Sequence, residues 1–128
     1  MVFRNPATIH SPLSPTYSHQ AEVSGTARWL VLSGQVGMDK DGNVPADGAD
    51  QLEIVMDNIL LNLEAAGMNK ENLVKLVCYH VGPIDNAQRR SIMASKLGEH
   101  KPCITLLYIS GLAHESYKVE IEAWACSE

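Results

Sequence analysis

The sequence predicts one α+β domain in which two helices cover one face of a sheet of five or six strands. Two stretches carry most of that prediction. Leu52, Val55, Met56, Ile59, Leu60, Leu63 and Ala66 recur at three- and four-residue spacing, so one apolar stripe runs along a helix of about 18 residues. The closing run YKVEIEAWAC alternates, with Tyr117, Val119, Ile121, Ala123 and Ala125 on one face and Lys118, Glu120, Glu122, Trp124 and Cys126 on the other. The chain has 128 residues, enough for one core, and no repeat or linker divides it, so residues 1–128 are read as a single domain.

Residues 17–23 (YSHQAEV) alternate as a half-buried strand does, SGTA at 24–27 is turn-like, and RWLVLSGQ follows as a second, more apolar strand. Together they read as a hairpin. Residues 37–48 are rich in Gly and Asp and form a loop with room for a short edge strand. Asp47 or Asp50 suits the start of the long helix, and Gly67 suits the left-handed turn that ends it. NLVKLVCYHV (72–81) is a strand that Gly82 and Pro83 stop. A weaker helix spans 85–97, with Ala87, Met93, Ala94 and Leu97 as its expected buried side, and Pro102 opens the strand CITLLYI. The sheet face away from the helices, carrying Trp124 and the hairpin's apolar residues, needs a partner.

Composition excludes several functions. Net charge is −5 with acids and bases dispersed, so there is no electrostatic footprint for nucleic acid. Apolar runs fall far short of the roughly 20 residues that span a bilayer. The proline-containing start MVFRNPATIHSPLSPTYS lacks the apolar core of a signal peptide, and the expected compartment is the cytoplasm. Cys78, Cys103 and Cys126 are dispersed and odd in number, which does not suit a disulfide framework. The five histidines are scattered; His100 and Cys103 alone do not make a metal site, which normally needs three or four ligands.

The runs LVLSGQVG, LEAAGMNKENLVKLVCY, GEHKP and VEIEAWA resemble the Rid/YjgF family in order and spacing, from about Tyr17 to Ala125. That resemblance implies a chorismate-mutase-like fold and a homotrimer whose sheets surround a central axis, with ligand clefts between neighbours. Family members best known for activity hydrolyse enamines and imines such as 2-aminoacrylate to a 2-oxo acid and ammonia, without a cofactor. By the same resemblance Tyr17 and Ser33 contact substrate, and Glu120, the first glutamate of EIE, is the catalytic group that activates water. The family's active pattern is Pro-x-Arg, whose arginine clamps the substrate carboxylate. Here Pro102 is followed by Cys103 and Ile104, and an isoleucine has no donors for that bidentate contact. Cys103 and Ile104 fall where the ligand should lie. Arg90, on the second helix, is the candidate for supplying positive charge from another direction.

Taken without the resemblance, these residues have plainer readings. Glu120 and Glu122 suit a solvated sheet face or pairs with Lys118 or Lys75, Tyr17 a packed ring, Cys103 a small buried hydrophobe, and Arg90 a solvated helix face. The expected function is binding of a small molecule at an intersubunit cleft. Hydrolysis of an enamine, imine or related unsaturated acid is one reading, and a non-catalytic ligand-binding or interaction protein is the alternative. A ribonuclease or translation-inhibitor role is opposed by the negative charge.

Overall fold

A computed structural model covering residues 1–128 contains six strands, two α-helices and one 3-10 turn at Lys70–Asn72. In chain order the strands and α-helices are β1 (Val2–Arg4), β2 (Gln20–Glu22), β3 (Arg28–Val36), α1 (Gly48–Ala65), β4 (Leu73–Val81), α2 (Asn86–Leu97), β5 (Cys103–Ile109) and β6 (Val119–Ser127). Four strands form the main sheet in the order β3-β6-β4-β5, and α1 and α2 lie together on one face of it. The sheet is mixed. β6 is antiparallel to both of its neighbours, whereas β4 and β5 are parallel and joined by a crossover through α2.

The α+β class and the pair of helices agree with the sequence, but the strands are divided differently. β1 and β2 form a separate two-stranded ribbon, with Phe3 opposite Ala21, rather than joining one sheet of five or six strands. The expected hairpin between residues 17–23 and 28–35 is absent. Competing hydrogen bonds explain this. Ser18 N–H donates to the Pro102 carbonyl and its hydroxyl donates to the Lys101 carbonyl at 2.6 Å, while His19 N–H donates to Asn5 Oδ1. Those bonds hold residues 17–19 as a loop and leave only Gln20–Glu22 extended. β3 pairs instead with the distant β6.

The α1 stripe packs as its spacing requires: Leu52, Val55, Met56, Ile59 and Leu63 are fully buried against Leu73, Leu76, Ile121 and Ala123. Burial of each such side chain contributes roughly 1.5–3 kcal/mol. Asp47 is the residue before the helix, although its side chain makes no capping bond. At the other end Gly67, at φ 70°, directs its N–H to the Glu64 carbonyl, and Met68 N–H reaches Leu63. This Schellman-type closure satisfies orphan carbonyls and tucks Met68 into the core. α2 is capped by Asp85, whose carboxylate accepts from Gln88 N–H at 3.0 Å. Its buried side is Ile92, Met93 and Leu97; Ala87 and Ala94, expected inside, are exposed. Methyl-sized side chains leave the choice of face to the larger Ile92.

Gln51 is a polar residue within the apolar stripe and is fully buried. Its amide donates to the carbonyls of Pro45 and Ser116, and its Oε1 accepts from Lys118 N–H at 2.8 Å. These bonds tie the loop before α1 to the segment entering β6. No helix is long and apolar enough to cross a membrane.

Candidate functional site

Alternation along the strands sorts the sheet's side chains onto two faces. On the helix face lie Cys78 and His80 of β4, Ile104 and Leu106 of β5, and Val119, Ile121 and Ala123 of β6. On the open face lie Lys75, Val77 and Tyr79 of β4, Cys103 and Thr105 of β5, and Glu120, Glu122 and Trp124 of β6. Lys75 Nζ donates to Thr105 Oγ1 at 2.6 Å, and Tyr79 donates its hydroxyl to Glu122 at 2.6 Å. That second bond, with the charges of Glu122 and Glu120, holds the Tyr79 phenol above its ordinary pKa.

A cavity of about 300 Å³ opens on the helix side of the β4–β5 edge. Its floor is Cys78, His80, Ile104 and Leu106, its roof is Arg89, Arg90 and Met93 of α2, and Leu52 closes the back. The loop carrying Leu13, Ser14, Thr16 and Tyr17 forms the remaining wall. The Ser18 bonds to Lys101 and Pro102 dock this loop, and the Tyr17 hydroxyl accepts from Leu13 N–H at 2.9 Å. Because α2 is the crossover between parallel strands, it runs back against them. Its first turns therefore lie over His80 at the end of β4, and Met93 lies toward Ile104 at the start of β5.

The cavity is electropositive. Arg89 and Arg90 belong to none of the chain's salt bridges, and the Arg89 Nε–H is buried with no acceptor. No Asp or Glu lines the cavity to balance them. His80, 2% exposed, makes no side-chain hydrogen bond. Burial, reinforced by the Arg89 charge, pulls its pKa down to about 4, so the ring is neutral at pH 7. Burial pushes the Cys78 thiol up to about 12, against the opposing pull of Arg89 and Lys75. Neither group offsets or adds to the arginine charge.

Of the residues singled out in the sequence, Tyr17, Arg90 and Ile104 come together around this cavity. Ser33, Cys103 and Glu120 do not. Cys103 follows Pro102 onto the open face, where burial raises its thiol pKa in spite of Lys75. Glu120 lies opposite Tyr79 and Val36 on that same face, and its carboxylate packs against Gly34, where a Cβ would come within 2.8 Å of Glu120 Cδ. Ser33 is exposed beside Gly34, at the irregularity between Leu32 and Gln35. His80 and Arg89 were not singled out. The signal for His80 was available, since it shares the inward phase of β4 with Leu76 and Cys78, and a polar residue in that phase marks a break in the core.

The family model described as Endoribonuclease L-PSP matches residues 8–127. A RutC family protein of Pyrococcus horikoshii is 35% identical over 119 residues, spanning 91% of this chain and 90% of the relative. Among solved structures, YyfB of the Rid protein family from Yersinia pestis superposes with a TM-score of 0.85 at 26% identity, covering 98% of both chains. The YjgF gene product of Escherichia coli superposes with a TM-score of 0.71 at 26% identity, covering 88% of each. A family match along almost the whole chain and a relative of this identity and coverage agree with the two helices on a mixed sheet: the chain belongs to the Rid/YjgF family.

Proposed function

We propose that this protein binds a small carboxylate in the cavity roofed by α2, with Arg89 and Arg90 supplying the cation that Ile104 does not. The observation that carries this reading is the pair of arginines at a 300 Å³ cavity with no ion-pair partner. The half-buried Arg89 guanidinium gains most from a planar anion that accepts two hydrogen bonds, and the exposed Arg90 adds charge at the rim. A cavity of this size suits a small metabolite.

The assembly is a homotrimer whose subunits meet through the open face of the sheet. Trp29, Val31 and Leu107 on that face are 50%, 62% and 43% exposed in the protomer, an apolar area that association would cover. In such an assembly Glu120 and Ser33 serve the cleft of a neighbour rather than the cavity of their own subunit. Hydrolysis of an enamine or imine then requires Glu120 to activate water beside an anion held by α2, without the bidentate contact from β5. Binding without catalysis is the second reading, and Ile104 favours it.

Calorimetric titration of butanoate into the wild type and into Arg89→Ala tests the binding reading. Saturable binding that weakens at least tenfold in the variant is expected. Equal heats from both proteins, or none from either, would refute it.

A further inference from the structure

The two ends of the cavity differ in chemistry. At one end His80 is almost wholly buried without a hydrogen-bond partner, and the Arg89 Nε–H is buried without an acceptor. Both residues line the cavity, and neither the unpaired Arg89 guanidinium nor the His80 ring has a protein partner there, so this end suits an anionic, hydrogen-bonding ligand group. At the other end are Ile104, Leu106 and Met93, with Leu52 behind them. Cys78, between the ends, is a neutral thiol that behaves as a small hydrophobe.

From this asymmetry we infer a substrate class and an orientation: a short aliphatic monocarboxylate, its carboxylate between Arg89 and His80 and its hydrocarbon end against Ile104, Leu106 and Met93. The inference rests on the carboxylate-binding reading above and adds to it the direction of the ligand. The direction is opposite to the one a cation at position 104 would impose. His80 is a specificity-determining residue here, since its neutral ring can donate one N–H to the carboxylate oxygen that Arg89 leaves free. An amino acid is a poorer ligand than the corresponding plain acid, because no Asp or Glu lines the cavity to pair with an ammonium.

Calorimetric titration with acetate, butanoate and hexanoate, and with 2-aminohexanoate, tests this on the intact protein. In the wild type, affinity should rise along the series by about fourfold per methylene that reaches the apolar end. Hexanoate should bind at least tenfold tighter than 2-aminohexanoate. Ile104→Thr should flatten the series, weakening hexanoate several times more than acetate. Arg89→Ala and His80→Gln should weaken all three acids by similar factors. Arg89 is only half-buried, so Arg89→Ala keeps the test informative if His80→Gln fails to fold. Acetate binding as tightly as hexanoate, 2-aminohexanoate matching hexanoate, or Ile104→Thr weakening acetate as much as hexanoate would overturn the inference while leaving carboxylate binding intact. Absence of binding by every acid would instead overturn the reading beneath it.

Discussion

Ile104 and Glu120 face away from each other across the same sheet. Ile104 is level with Leu76 and, through it, with Ala123 on the helix side, whereas Glu120 stands opposite Tyr79 on the open side. No side-chain rotation brings the two together within one protomer, because a strand's alternation fixes the face of each residue. Any site that uses both must be built from two subunits.

The oligomeric state is therefore the first expectation to check. Light scattering at micromolar concentration should give three chain masses. Val31→Glu should reduce that to one, with little loss of stability in the protomer, since Val31 is 62% exposed there and packs little within it. Wild type at one chain mass, or Val31→Glu still at three, would contradict association through this face.

Deaminase activity should be low. A bidentate contact to a substrate carboxylate is worth at least a few kcal/mol in the transition state, or roughly a hundredfold or more in rate. An assay coupling 2-aminoacrylate hydrolysis to ammonia release should find turnover at least a hundredfold below that of arginine-bearing relatives. Comparable turnover would show that Arg89 and Arg90 replace the missing group fully.

His80 makes stability depend on pH in a definite window. Its folded pKa, about 4, lies below the usual 6.5 of an unfolded chain, so between those values the unfolded state binds the extra proton. The stabilisation is present above pH 6.5 and is lost as pH falls toward 4, by an amount on the order of 3 kcal/mol. Melting curves of wild type and His80→Gln across this range should converge as the pH falls. Parallel curves would show that His80 is not held neutral.

Gln51 joins the loop before α1 to the entry of β6 through three hydrogen bonds. Gln51→Leu keeps approximate size but strands two carbonyls and one N–H in the interior. A loss of at least about 2 kcal/mol in chemical denaturation is expected. A loss below about 0.5 kcal/mol would mean that water replaces the amide.

Much of this arrangement was legible in the residues, and the exceptions have physical causes. The α1 stripe and the alternation of β6 come from large apolar side chains repeating at the period of their element, and burial follows them. The Gly67 turn was readable because only a left-handed residue closes the helix there. The β1–β2 ribbon was not, since a three-residue strand shows no period and forms because Ser18 and His19 are held elsewhere. At the cavity, Arg90 and Tyr17 carried a signal through family pattern alone. Arg89 and His80 depend on how α2 crosses back over β4, a relation that spacing along the chain does not encode.

The central claim, that a carboxylate binds against Arg89, is tested most directly by the NMR signal of the Arg89 Nε–H. That group is buried and without an acceptor in the free protein. Its resonance can be assigned by its disappearance in Arg89→Lys. On titration with butanoate the signal should move and saturate, as the guanidinium that carries it forms a charge-assisted contact with the carboxylate. A resonance that stays in place while calorimetry reports bound butanoate would contradict the account.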